Sequence, residues 1–269
     1  VMASDPYAKI ADTDPAVVRT IADRLEVRAA NPDQRAMLDA YLGDIDWPVG
    51  AQVVEIGCGT GPVSRVLAAL EAPATVLGVD PSPILIERAR EIATDLPKLS
   101  YEVGDARNLA FGDATFDVAI LHTALCHIPE PQSALAEVHR VLKPGGWIAI
   151  FDGDYASATV ALAEHDPLQA CSRAVTEHNV MDRWIVRRLP EMAKAAGFDI
   201  QRFRSHGYAE VIDPAYMLGH AERGAEVLAA QGVIGDALAD ALKAEARRRA
   251  ADGAFFGHIA YASLVARKA

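Results

Sequence analysis

From residue 51 to about residue 151, short apolar runs alternate with amphipathic stretches, and that alternation predicts a wound sheet flanked by helices. Ala51 to Ile56 reads as a first strand and Pro62 to Leu70 as the helix behind it. A second strand covers Ala74 to Val79 and closes on Asp80, after which Ser82 caps a helix from Pro83 to Asp95. Leu99 to Val103 and Phe116 to Leu121 are the third and fourth strands. A helix from about Gln132 to Leu142 and the turn Pro144-Gly145-Gly146 lead into a fifth, Trp147 to Phe151. Each strand is a continuous apolar run, as parallel strands covered on both faces require.

On either side of this core the pattern is helical. Residues 15 to 43 read as two helices opened by Asp14-Pro15 and Asn31-Pro32 and ended near Gly43. Beyond Asp154 helical stretches cover roughly 157 to 178 and Arg183 to Ala196, before a sixth strand, Phe198 to Tyr208. Two further helical segments, about 214–231 and 235–252, precede a closing strand, Phe255 to Ala266. The 205–252 segment is too long for a hairpin, so it is expected to form a helical cap over a site at the strand ends. The expected organisation is one domain: leader 1–48, core 49–204, cap 205–252 and last strand 253–269.

Composition narrows the chemistry. A chain of 269 residues suits one large α/β domain. With 26 Lys plus Arg against 37 Asp plus Glu, the net charge is −11, a poor footprint for nucleic acid or an anionic membrane. No apolar run approaches the roughly 20 residues of a membrane span, and Val1 to Asp14 shows no signal pattern. Cys58, Cys126 and Cys171 lack metal-type spacing and read as reduced thiols, so the expectation is a cytoplasmic protein with no bound metal.

The sharpest chemical signal is Glu55-Ile56-Gly57-Cys58-Gly59-Thr60-Gly61, where a strand runs into three glycines at every second position and then a helix. Such a loop lets the backbone press against a ligand that a Cβ would block. A dinucleotide fingerprint spaces its glycines G-x-G-x-x-G, whereas here Pro62 stands in the last slot. A phosphate loop would need a lysine, and this segment has none. Glu55 would repel a pyrophosphate but suits a ligand carrying an ammonium and a sulfonium. Asp80, ending the second strand, is placed to accept the hydroxyls of a ribose, and Asp105, ending the third, an adenine amino group.

With these segments in view, the sequence resembles the class I S-adenosylmethionine-dependent methyltransferases, most closely the small-molecule group related to ubiquinone and menaquinone methyltransferases. The matching motifs are the glycine loop, Gly78-Val79-Asp80, Gly104-Asp105-Ala106, Phe116-Asp117-Val118 and Arg140-Val141-Leu142-Lys143-Pro144-Gly145-Gly146. The resemblance implies a Rossmann-like, doubly wound sheet of seven strands with the last antiparallel. It also implies that Glu55, Gly57, Gly59, Thr60 and Gly61 hold the methionine part of the cofactor, Asp80 the ribose, and Asp105-Ala106 the adenine, with His122 touching it as well. Pro81 follows the ribose acid where the family is variable.

The acceptor side is less legible. A general base is worth about 10²–10⁴-fold when the acceptor arrives protonated, and His127, just past the fourth strand, is the first candidate, although in this family a histidine there also organises the loop. His178, among Glu177, Asn179 and Asp182, is the second. Asp154, Tyr155, Arg183, His206 and Tyr208 are candidate pocket residues, and Tyr7 and Arg28 of the leader are candidates to reach the cofactor carboxylate. The expected activity is methyl transfer to oxygen, nitrogen or an activated ring carbon of a small molecule in cofactor or secondary metabolism. A nicotinamide-dependent oxidoreductase on a similar sheet and a non-catalytic S-adenosylmethionine-binding protein are the alternatives.

Overall fold

A computed structural model describes residues 5–269, so the part of the signal-pattern reading that falls on Val1–Ser4 lies outside the described residues. Seven strands form one sheet: β1 (Ala51–Ile56), β2 (Pro73–Asp80), β3 (Leu99–Val103), β4 (Phe116–His122), β5 (Leu142–Thr159), β6 (Phe198–Glu210) and β7 (Gly257–Lys268). Their order is β3-β2-β1-β4-β5-β7-β6. The first five are parallel, and β7 is antiparallel to both β5 and β6. The strand order reverses between β1 and β4, which is where open parallel sheets place their ligands.

The helices are α1 (Pro15–Ala29), α2 (Pro32–Leu42), α3 (Pro62–Ala69), α4 (Pro83–Ile92), α5 (Pro131–Val141), α6 (Leu168–Asn179), α7 (Ile185–Ala195), α8 (Ala215–Ala230) and α9 (Asp236–Ala251). Local chemistry opens several of them. Asp14 accepts the Ala16 N–H at 2.8 Å, Asn31 accepts those of Asp33 and Gln34, and Ser82 accepts that of Leu85. Proline then stands at the first turn of α1, α2 and α4, where its missing N–H costs nothing. The middle of the sheet is dry: Val53, Val54, Val118, Ile120, Ile148 and Phe151 are all fully buried.

Two sequence expectations fail around the fifth strand. The turn Pro144-Gly145-Gly146 lies inside β5, which begins at Leu142. Residues from 157 do not begin a helix, because β5 continues to Thr159. Gly153 and Asp154 pair with Tyr261 and Ala260, and beyond an irregularity Thr159 pairs with His258, so β7 supplies backbone partners that local propensity could not anticipate. The helix starts instead at Leu168, where Asp166 accepts the N–H groups of both Leu162 and Leu168. Between β6 and β7 the chain forms α8 and α9. The α8 helix crosses α6 closely at Gly224, where a Cβ would lie 1.9 Å from the carbonyl oxygen of Cys171. Cys58, Cys126 and Cys171 are buried free thiols. Among the described residues no helix is long and apolar enough to cross a membrane.

Candidate active site

The carboxyl ends of the first strands and the loop after β4 open onto one cavity of about 730 Å³, within the roughly 300–1,000 Å³ usual for small-molecule sites. Its floor is the turn from β1 into α3. Gly57, Gly59 and Gly61 hold φ of 74°, 56° and 77°, in the left-handed region that side chains disfavour. Space forbids a side chain at Gly57 as well, since a Cβ there would lie 2.5 Å from that of Ala124.

Two buried acids stand beside this turn. Asp80, 6% exposed, is clamped between the N–H groups of Gly59 and Ser82, each 2.9 Å from one carboxylate oxygen. Burial nevertheless pushes its carboxyl up to about 6. Glu55, accepting from the Ser64 hydroxyl, is pushed up by burial to about 8. Both acids therefore gain from any cation or hydroxyl donor that enters the cavity. Asp105 lies at the margin, where hydrogen bonding from Arg107, with Nη2 2.6 Å from Oδ2, holds it below the usual carboxylate range. Pro81 and Ala106 complete this end.

His122 closes the wall at the end of β4. Its Nδ1 lies 3.0 Å from the Tyr41 hydroxyl, and its ring stacks on Phe151 at 4.6 Å. Burial, with the Arg28 charge second, holds it well below its ordinary pKa, so it is a neutral ring at physiological pH.

The leader roofs the glycine loop. A Cβ at Gly59 would meet Leu25 Cδ1 at 2.7 Å, and Glu26 binds both the Thr60 hydroxyl at 2.5 Å and Arg65 at 2.6 Å. One turn further on, Arg28 Nη2 donates to Thr123 Oγ1 at 2.7 Å. Burial works against the Arg28 charge, and Tyr155, Tyr216, Tyr261 and Tyr7 support it.

Opposite lies His127, whose Nδ1 is 2.8 Å from Asp5 Oδ2. Asp5 is buried and also accepts the N–H groups of Tyr7 and Met181, so it is a fixed acceptor and Nδ1 carries the proton. Among the described residues Nε2 is left as the uncommitted ring nitrogen, and Tyr7 stacks on the imidazole at 4.4 Å.

Residues 54–150 match the model of a family described as a methyltransferase domain. Among curated relatives, a protein encoded in a transposon of Streptomyces fradiae is 34% identical over 64% of this chain and 49% of its own length. A 2-methyl-6-phytyl-1,4-hydroquinone methyltransferase of Synechocystis is 36% identical over 42% of this chain and 36% of its own. Demethylmenaquinone methyltransferase of Staphylococcus epidermidis is 34% identical over 38% and 43%. Matches to these relatives thus span less than half of each one's length.

Among solved structures, YcgJ of Bacillus subtilis shares the fold at a TM-score of 0.61, with 18% identity over 87% of this chain and 98% of that one. A Haemonchus contortus phosphoethanolamine N-methyltransferase in complex with S-adenosylhomocysteine does so at 0.55, with 21% identity over 87% and 52%.

Residues 54–150 are thus similar to a methyltransferase domain, on a fold shared with solved methyltransferase structures. The cavity gathers most of the sequence-predicted residues: Glu55, Gly57, Gly59, Asp80, Pro81, Asp105, Ala106 and His122 line it, as do His127, His178 and Tyr155. Tyr7 and Arg28 of the leader line it too.

Six predicted residues are elsewhere. The Thr60 side chain is turned away to Glu26, and Gly61 is the cap of α3, pressed against Tyr101. Asp154 is held by Arg187 at 2.9 Å, and Arg183 by Glu177 at 2.9 Å. His206 bonds Ser263 across the β6–β7 pair, and Tyr208 is buried behind the wall between Asn31 and Glu210. The glycine-loop resemblance, and position at strand ends or on the cap, identified these residues but not the partner that each side chain takes.

Asp5, Arg24, Tyr216, His220 and Arg223 escaped the sequence reading. Four of them line the cavity, and Asp5 supports His127 from 122 residues away. For Tyr216, His220 and Arg223 the one trace was the reading of 214–231 as a helix.

Proposed function

We propose that the protein transfers a methyl group from S-adenosylmethionine to a small-molecule acceptor enclosed in this cavity. The observation that carries the reading is the join of three left-handed glycines to two buried, pKa-raised acids, Glu55 and Asp80, at one end of a roofed cavity. This end fits the cofactor in shape and charge. The bare backbone at Gly57 leaves room for its methionine part, Glu55 answers its ammonium and sulfonium, and the Asp80 carboxylate accepts from its ribose. Asp105-Ala106 faces the adenine, and Arg28 takes the cofactor carboxylate. The hydroquinone and menaquinone methyltransferases among the relatives support a small organic acceptor.

When bound, S-adenosylmethionine supplies an activated methyl group whose departure leaves a neutral thioether. The chain's own residues then align, dehydrate and deprotonate. Holding the acceptor in line with the methyl is worth roughly 7–11 kcal/mol of barrier. His127 Nε2 accepts the proton of the nucleophile, while Asp5 fixes the ring through Nδ1. The leader and the helices before β7 exclude water, so that core, leader and cap work as one catalytic unit.

The test is to incubate the protein with S-adenosylmethionine and a panel of hydroxylated, aminated and quinol-type acceptors and to follow S-adenosylhomocysteine. The reading expects thioether formation that depends on one acceptor class, with the methyl recovered on that acceptor. Cofactor binding without turnover on any class would favour a binding protein instead.

A further inference from the structure

Charge around the cavity is segregated. The acids Glu55, Asp80 and Asp105 stand at the ends of β1, β2 and just past β3. Away from them the wall carries arginines: Arg24 and Arg28 from α1, and Arg223 from α8. Arg28 is engaged with Thr123 and, in the reading above, with the cofactor carboxylate. Arg24 and Arg223 have no such role.

Arg223 is half-buried on the cavity side of α8. Burial lowers its pKa, and the like charge of Arg24, presented from α1, lowers it further. Glu226 opposes this, but more weakly than Tyr216 or Tyr7 does. Among the described residues neither arginine has a carboxylate within the 4.0 Å of an ion pair. The nearest acid in sequence, Glu222, is taken by Arg247. Asp12 and Asp23 also reach the cavity and are exposed, as are its cations Arg24, Lys9 and Arg107. Arg223 is therefore the half-buried charge that sets the character of this wall.

Two helices thus bring like charges to one wall with, among the described residues, no carboxylate in ion-pair range of either. That arrangement costs folding free energy unless an anion joins it. The groups around it are phenols: Tyr7 feels the charges of Arg28, Arg24 and Arg223, with Tyr216 beside it. Guanidinium forks and hydroxyl donors together recognise the planar or tetrahedral oxygens of an organic anion. In a chain of net charge −11, a basic wall inside the cavity also draws an anion toward one place only. The wall adjoins the proposed base, since Tyr7 stacks on His127.

We propose that the methyl acceptor carries an anionic group, a carboxylate or a phosphate, which Arg223 and Arg24 hold beneath α8 while the nucleophilic atom faces His127. The inference rests on the acid-lined end taking the cofactor.

The experiment measures binding of benzoate, phenyl phosphate and neutral benzamide at matched ionic strength, to the free protein and to the protein saturated with S-adenosylhomocysteine. It is repeated with Arg223→Gln, and Arg223→Lys serves as the conservative variant. The expected result is that one or both anions bind at least about tenfold more tightly than benzamide, the scale of a charge-assisted hydrogen bond. That preference should vanish in Arg223→Gln and return in part in Arg223→Lys. S-adenosylhomocysteine affinity should stay the same in all three proteins, which also reports that the variants are folded. The tighter of the two anions assigns carboxylate or phosphate.

Equal binding of benzamide, or a preference that survives Arg223→Gln, overturns the anionic acceptor. If S-adenosylhomocysteine fails to bind the wild type, the cofactor reading fails instead. The free-protein titrations then still decide whether Arg223 makes an anion site.

Discussion

At the residue scale, the account turns on Asp80 and His127. Asp80 was legible because its position at the end of β2 is a property of a short segment. Its electrostatics were not, because they come from burial beneath the glycine loop. A ribose diol donates to an ionised carboxylate, and Asp80 titrates near 6. S-adenosylhomocysteine affinity should therefore fall by about tenfold per pH unit below that value. Asp80→Asn should bind weakly with no step there, and a wild-type affinity that is flat from pH 7 to pH 5 would contradict the assignment.

The stability effect has the opposite sense. The folded pKa of Asp80 lies above its ordinary 3.8, so the native state holds that proton more tightly than the unfolded chain. Its contribution to ligand-free stability is present below 3.8 and is lost as the pH rises through about 6.

His127 was found by its position after β4, but its partner Asp5 was not, since nothing local links residues 122 apart. His127→Ala should lower kcat by about 10²–10⁴-fold while leaving S-adenosylhomocysteine affinity within about twofold, and an unchanged kcat would remove the base. Asp5→Asn should lower kcat at constant acceptor KM and shift the acid limb of the pH–rate profile. A purely structural Asp5 would change thermal stability without moving that limb.

At the element scale, the first five strands were readable because apolar runs bounded by Gly, Pro and Asp are local signals. The extension of β5 was not, because its partner, β7, lies about a hundred residues away. Gly224 shows the same limit. In sequence it is a glycine inside a helical pattern, a mild defect. In the structure it is the contact that lets α8 approach α6, with the Cys171 carbonyl in the place of a Cβ. Gly224→Val should force the helices apart at a cost of about 1–3 kcal/mol. Scanning calorimetry should then show Tm falling by several degrees, about 2–4 °C per kcal/mol for a chain of this size. An unchanged Tm would mean that α8 is not held by this crossing.

At the scale of the whole molecule, the site is assembled from both ends of the chain. Glu55, Asp80 and Asp105 come from the strands, Asp5, Tyr7 and Arg28 from the leader, and Tyr216 and Arg223 from α8. Periodicity and the resemblance gave the sheet and its cofactor edge. They could not say which face of the leader or of α8 would turn inward. Tertiary packing decides that, through Leu25 over Gly59 and Gly224 against Cys171. The acceptor half of the cavity was therefore nearly invisible in the sequence, although each of its residues was in plain view.

The most direct measurement is a calorimetric titration of the protein with S-adenosylhomocysteine and with NADH, repeated on Asp80→Ala. The account predicts saturable binding of the thioether alone, abolished or severely weakened in the variant. Binding of NADH alone would contradict it, because the glycine loop and its two acids would then serve a dinucleotide.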